Sequence, residues 1–201
     1  LFDHADIYTR GKAETVFGEL LHERPSLRAR IVLQSKVGIR FAGEPAAGDP
    51  GRYDFSYPPM VASVDASLRR LRTDWLDLLL LHRPDALVEP EEVGRAFADL
   101  ARVGKVRHFG VSNHSASQIA LLQKYLDQPL VVNQVELNLW HAGLVEQGLV
   151  FNTGAPAARA ATEGTLDYCR RHGILVQAYS PIAKGKPWAA EGADARDDIR
   201  L

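Results

Sequence analysis

Apolar residues along this chain fall into two patterns that alternate from one end to the other. Short continuous runs rich in Val, Ile and Leu occur at Ile31–Val37, Leu76–Leu81, Val106–Val111, Val131–Val135 and Ile174–Ala178, and Leu1–Asp3 looks like the last residues of another. Between them lie segments in which apolar positions recur with helical period: Glu14–Glu23, Pro59–Leu71, Glu91–Val103, Ala116–Leu126 and Gly164–His172. A strand buried on both faces reads as an unbroken apolar run, so the alternation predicts a parallel sheet with crossover helices. Pro58-Pro59 and Pro90 stand where a first helical turn tolerates proline, and Gly104 and Gly173 stand where helices stop. Gly38–Tyr57 and Trp140–Glu163 read as long loops, the second with a short helix near Leu144–Val150. Loops of that length in a compact domain are usually functional or disordered.

Two architectures suit this order, a closed barrel and an open doubly wound sheet. No G-x-G-x-x-G segment follows the first strand, which removes the fingerprint expected of the open sheet. The fold class expected is therefore α/β, a (β/α)8 TIM-type barrel. A closed barrel typically uses about 250 residues and eight strands, so with about six strands present the barrel is expected to be incomplete, its first and last strands missing. The strand-end character of Leu1-Phe2-Asp3 and the interrupted helix start at Ile199-Arg200-Leu201 suggest truncation at both ends. With no linker, longer repeat or low-complexity tract, residues 1–201 read as a single partial barrel domain.

Composition narrows the function classes. At 201 residues and 46% hydrophobic content, the chain can bury roughly 70% of its unfolded surface in a substantial core. Lys plus Arg total 24 against 25 Asp plus Glu, a net charge of -1, so no broad field favours nucleic acid or an anionic membrane. The lone Cys169 rules out an intrachain disulfide and every multi-cysteine metal site. No run approaches the roughly 20 apolar residues of a membrane span, and the N-terminus lacks a basic start and apolar core, so a soluble, cytoplasmic protein is expected. The seven histidines show no H-E-x-x-H spacing, no phosphate-binding P-loop occurs, and Cys169 reads as core; no metal is expected.

In a parallel barrel, active sites are assembled from residues at strand ends, and several reactive residues sit there. Asp3 ends the first run with Tyr8 five residues on, Lys36 is near the end of the second, and His82 follows the third. Ser112-Asn113 ends the fourth, Gln134 lies in the fifth, and Tyr179-Ser180-Pro181 ends the sixth. Each has a plain structural reading. Lys36 could pack its stem in the core with its amine reaching water, and His82 could be a satisfied structural histidine. Ser112-Asn113 could cap the next helix, Gln134 could close a buried hydrogen-bond network, and Tyr179 could be core packing. Trp140 and His141 suit a substrate pocket as well as a loop anchor, and Tyr53, Phe55 and Tyr57 are equally ambiguous.

Taken together, Phe2-Asp3-His4-Ala5-Asp6-Ile7-Tyr8, Ser35-Lys36, Leu81-His82-Arg83-Pro84, Gly110-Val111-Ser112-Asn113, Asn133-Gln134-Val135-Glu136 and Ala178-Tyr179-Ser180-Pro181 closely resemble the aldo-keto reductases, most of all the bacterial-type NADPH-dependent oxidoreductases. The resemblance implies reduction of an aldehyde or ketone to an alcohol by hydride transfer from NADPH, with NADH left open, and a small-molecule carbonyl compound as partner. It implies a catalytic tetrad of Asp3, Tyr8, Lys36 and His82. Tyr8 would be the general acid, and a phenol gives up its proton poorly at neutral pH unless a cation such as Lys36 lies beside it. Asp3 would hold Lys36 charged and oriented, and His82 would hydrogen-bond the carbonyl. By the same resemblance Ser112, Asn113 and Gln134 would bind the nicotinamide carboxamide and Tyr179 would stack on the ring. Ser180, Pro181 and Ile182 would follow the pyrophosphate, with Lys184 or Lys186 nearby. The alternatives carried forward are a nicotinamide-binding regulatory or interaction subunit and an inactive truncated barrel.

Overall fold

The structure, a computed structural model, describes residues 1–150 and 164–183. Lys184, Lys186, residues 199–201 and the 151–163 part of the second long loop lie outside the described residues. Six parallel strands form one sheet: β1 (Phe2–Asp3), β2 (Leu33–Val37), β5 (Leu76–Leu81), β6 (Val106–Ser112), β7 (Leu130–Glu136) and β8 (Leu175–Tyr179), side by side in chain order. An open doubly wound sheet needs a reversal in that order, and there is none. The sheet curls strongly enough for Asp3 on β1 to meet Gln134 on β7, and Gln34 on β2 to meet Gln177 on β8, although neither pair belongs to neighbouring strands.

The crossover helices are α1 (Lys12–Glu23), α2 (Tyr57–Leu71), α3 (Pro90–Arg102), α4 (Ala116–Gln123), α5 (Gly143–Val150) and α6 (Thr165–Arg171). Prolines occupy the first turns of α2 and α3, and Gly104 and Gly173, both with left-handed backbone, follow α3 and α6. Ser115 and Gln118 exchange side-chain and backbone bonds in a full capping box at the start of α4. That cap excludes the reading of Ser112-Asn113 as the helix cap.

Three boundaries differ from the sequence expectation for local reasons. The strand expected from Ile31 begins at Leu33, because Pro25–Arg30 winds into a 3-10 turn first. Helix α4 stops at Gln123 rather than Leu126, and the Gln123 amide ties down the turn that follows, donating to Leu126 O and Gln128 O and accepting from Leu130 N at the start of β7. The Gly38–Tyr57 loop contains an antiparallel pair, β3 (Ile39–Arg40) with β4 (Arg52–Tyr53). Gly38 turns the chain into this arm at φ 107°, with the Phe55 ring packed where a side chain would stand.

The main core lies between the outer face of the sheet and the helices. Leu33, Val37, Leu79, Leu81, Phe109 and Val111 from the strands meet Phe17, Val64, Phe97, Leu100 and Ile119 from the helices. Phe97 stacks on Phe109 at 4.0 Å. Inside the curl, Leu78, Leu80 and Val132 form a small apolar floor. Near the strand starts, Asp77 accepts from Arg28 at 2.8 Å, Leu33 N at 3.0 Å and Arg107 at 3.0 Å. Burial opposes ionisation there, yet the Leu33 amide and Arg28 hold the Asp77 carboxyl below its ordinary value. The strand starts are thus clamped by charge, and polar groups free for chemistry gather at the other end.

Candidate active site

β1 is only two residues long, but its exit is fastened to β2: His4 N donates to Gln34 O at 2.9 Å and Asp6 N to Lys36 O at 3.0 Å. The chain then enters a 3-10 turn over Tyr8–Gly11, in which Thr9, Arg10 and Gly11 all take positive φ. Consecutive left-handed residues without glycine are costly and cluster at functional sites. Here they turn the chain into α1 directly after Tyr8, whose N–H is bonded back to Ala5 O at 3.1 Å.

Lys36, in the inward register of β2, is 1% exposed. Its ammonium donates to both Asp3 oxygens, at 2.7 and 2.8 Å, to His4 O at 3.0 Å and to the Tyr8 hydroxyl at 3.0 Å. The amine is therefore held inside the curl and does not reach solvent. His82 leaves β5 with its backbone N–H on Val37 O, and its ring stands edge-on to Tyr8 at 5.8 Å. Burial, reinforced by the Lys36 and Arg83 charges, pushes its imidazole down to about 4, so the ring is neutral at pH 7, and its buried Nδ1 has no partner among the described residues. The four residues Asp3, Tyr8, Lys36 and His82 thus form one group reached from three strand ends.

A second set adjoins it. Ser112 Oγ donates to Gln134 O at 2.9 Å and accepts from the Asn113 amide at 2.9 Å. Asn113, at φ 62°, accepts from the Tyr179 hydroxyl at 3.1 Å. Gln134 donates to Asp3 at 3.0 Å, so the two sets share a carboxylate. Ser180, Pro181 and Ile182 follow at the turn after β8, where Asn138 donates to Ser180 O at 3.1 Å. A cavity of about 370 Å³ opens beside Asn113 and Tyr179, lined also by Arg83, Glu136 and His141. His141 lines it, whereas Trp140 turns its backbone N–H onto Asn138 within the loop.

Several other residues have no role in the site on the sequence reading alone. Glu14 is fully buried on α1, accepting from Ser35 at 2.6 Å and pairing with Arg70 at 2.6 Å. The signal was its place, three and seven residues before the buried Phe17 and Leu21. Asp6, two residues before Tyr8, has its carboxyl raised to about 7, first by burial and then by Glu14. Gln34 and Gln177 each stand two residues before a polar site residue, Lys36 and Tyr179, which in a strand means the same face. His114 is buried and pushed down to about 4, with Nδ1 on Ser112 O at 2.9 Å. Cys169 is buried in the helix-side core, which raises its thiol. Among the described residues no group of three His, Cys, Asp or Glu could hold a metal, and no helix is long and apolar enough to cross a membrane.

Residues 1–197 match the family model described as the Aldo/keto reductase family. An uncharacterized oxidoreductase of Bacillus subtilis, YcsN, is 42% identical over 92% of the chain and 57% of its own length. A 6-dehydroglucose reductase of Agrobacterium fabrum is 36% identical over 91% of the chain and 57% of its own length. A crystal structure of an aldo-keto reductase from Klebsiella pneumoniae in complex with NADPH superposes with a TM-score of 0.68 at 30% identity, covering 96% of this chain and 57% of that one. The chain thus spans a little over half the length of the proteins it matches, and its six curled strands are part of a (β/α)8 barrel.

Proposed function

The chain belongs to the aldo/keto reductase family, and on that premise we propose that the protein reduces an aldehyde or ketone to an alcohol, using NADPH and a proton from Tyr8. One observation carries the reading: the Lys36 ammonium bridges the Asp3 carboxylate and the Tyr8 hydroxyl inside the curl. The carbonyl oxygen gains negative charge as its carbon is reduced. Tyr8 delivers the proton to that oxygen, and the buried ammonium stabilises the phenolate left behind, an interaction far stronger there than in water. Asp3 keeps the ammonium charged and aimed. His82, neutral at the working pH, offers a hydrogen bond to the same oxygen.

The second set suits a nicotinamide. A hydroxyl and two primary amides, Ser112, Asn113 and Gln134, supply donors and acceptors complementary to a carboxamide, and Tyr179 offers a ring face beside them. The carboxamide side of Gln134 agrees with this use: both of its N–H directions are occupied, and its Oε1 makes no hydrogen bond among the described residues. Ser180, Pro181 and Ile182 would then follow the pyrophosphate. When bound, the reduced nicotinamide supplies the hydride. The NADPH in the Klebsiella structure makes that cofactor the first to test, and the Agrobacterium relative's name makes a polyhydroxylated carbonyl compound the first substrate to try.

Tyr8→Phe removes the proton and little else. Turnover is expected to fall by about 10²–10⁴-fold, the usual share of a general acid, while NADPH titration by tryptophan quenching stays as in the parent. Parent-like turnover in that variant would sink the assignment.

A further inference from the structure

Three glutamines from three strands gather at Asp3, two of them bonded to it and the third bonded to those two. Gln34 on β2 donates through Nε2 to Asp3 Oδ1, and Gln134 on β7 donates through Nε2 to Asp3 Oδ2 at 3.0 Å. The same two nitrogens also point at one acceptor, Gln177 Oε1 on β8, at 3.0 and 2.7 Å. A primary amide nitrogen has two N–H groups. Each of the two amides therefore gives one to the carboxylate and one to Gln177, and the four side chains close a ring.

We propose that Gln177 is a positioning residue for the tetrad: by accepting one N–H from each flanking amide, it turns the other N–H of each onto Asp3 and fixes the plane of that carboxylate. Asp3 needs such a hold. Its side chain is 30% exposed while its partner Lys36 is 1% exposed, so the carboxylate is the member that water can draw away. Two amide donors, one on each oxygen, oppose that, and hydrogen bonds to a charged group are the stronger kind. Carboxylate orientation then sets where the ammonium protons point, and one of them points at Tyr8. The orientation of Gln34 is itself informative. Gln34 is fully buried and leaves Oε1 without a partner. An unsatisfied buried oxygen is costly, yet the reverse orientation would set that oxygen against both the carboxylate and the Gln177 carbonyl. The ring thus dictates the amide's direction at the expense of its oxygen.

Gln134 belongs to this ring and to the proposed nicotinamide set, with its N–H groups facing Asp3 and its Oε1 left for a carboxamide donor. Cofactor occupancy and the anchoring of Asp3 therefore meet in one amide. This part rests on the function proposed above.

Gln177→Met keeps the side chain's length and removes the acceptor. In the intact protein it is expected to lower kcat roughly tenfold, as weakening a charge-assisted hydrogen bond does, with KM for the carbonyl compound little changed and the pH profile of kcat displaced. In an Asp3→Asn background the same substitution is expected to cost nothing more, because its effect runs through the carboxylate. Parent-like kcat and pH profile in Gln177→Met, or an undiminished loss in the Asp3→Asn background, overturns the proposal. A readout independent of turnover is the side-chain amide NMR signals of Gln34 and Gln134. Both are expected to be protected from solvent exchange and to shift on Asp3→Asn, and signals that do neither overturn the ring. If no carbonyl compound is reduced by the parent protein, the proposed function fails, while the NMR result still decides the ring.

Discussion

The two faces of the same six strands differ sharply. On the outer face Leu33, Val37, Leu79, Leu81, Phe109 and Val111 are buried against helices and make no polar commitment. On the inner face an apolar floor of Leu78, Leu80 and Val132 gives way, toward the strand ends, to Gln34, Lys36, Ser112 and Gln134, all nearly or fully buried and all hydrogen-bonded. The helix-side face contributes apolar burial, on the order of 25 cal/mol per Å² removed from water. The inner face holds buried charge, which proteins tolerate only when paired. Successive strand residues point to opposite faces, so one residue of register separates the apolar core from the inner polar group; the charges that do lie on the outer side, Asp77 with Arg28 and Glu14 with Arg70, are paired away from it.

That separation can be broken from either side. The largest effect is expected from Tyr8→Phe, with turnover down by about 10²–10⁴-fold and the thermal midpoint nearly unmoved. A midpoint that fell in step with activity would mean the inner group is structural after all. From the other face, Phe109→Ala removes the ring stacked on Phe97 and is expected to cost about 3–5 kcal/mol in a denaturant titration. The residual folded fraction should keep its turnover per molecule. A smaller cost, about 1–3 kcal/mol, is expected for Gly110→Ala, because a Cβ there would lie 2.7 Å from Leu80 Cδ2 and from the Val132 carbonyl oxygen inside the curl. An unchanged denaturation midpoint would show that the strands can part without loss.

The smallest effect is pH-dependent. His114 is held neutral by burial, its value lowered from 6.5 to about 4. Between those values the unfolded chain binds the extra proton, so this contribution is fully present above pH 6.5 and is lost as pH falls through about 4. His114→Gln is expected to flatten the acid side of a midpoint-versus-pH curve. Asp6, raised from 3.8 to about 7, acts in the opposite sense: its native state holds the proton, and stability falls as pH rises through that window. Glu14, Arg40 and Arg70 are the charges near it, with Ser63 beside it, and its buried Oδ1 has no hydrogen-bond partner among the described residues. Asp6→Asn is therefore expected to raise the midpoint above pH 7 and leave it unchanged below pH 3.8. A uniform shift across pH would refute the assignment.

The outer face was the readable one. Leu76–Leu81 has the expected bounds, because an apolar run buried on both sides leaves little choice of ending. That polar side chains gather at the strand ends was also legible, since strand ends in a parallel sheet all open on one side; that Asp3, Tyr8, Lys36 and His82 form one group was implied by the family resemblance. What escaped reading depends on partners distant in the chain. The turn after α4 is held by the Gln123 side chain bonding backbone groups three to seven residues on, and propensity does not register that. The β3–β4 pair hides in a stretch rich in glycine and proline. Gln34 and Gln177 carry no motif, and their meeting follows only once the curvature of the sheet is known.

That curvature gives the glutamine ring a consequence of its own. Gln34 and Gln177 sit on strands that share no ladder, so their bond spans the mouth of the curl as a caliper spans a bore. Flattening the sheet opens the caliper before it breaks a single ladder bond. If Tyr8 is the proton donor proposed above, its alignment becomes a gauge of how tightly the sheet curls, and substitutions far down the inner wall that widen the curl should register as altered turnover with Asp3, Tyr8, Lys36 and His82 all unchanged.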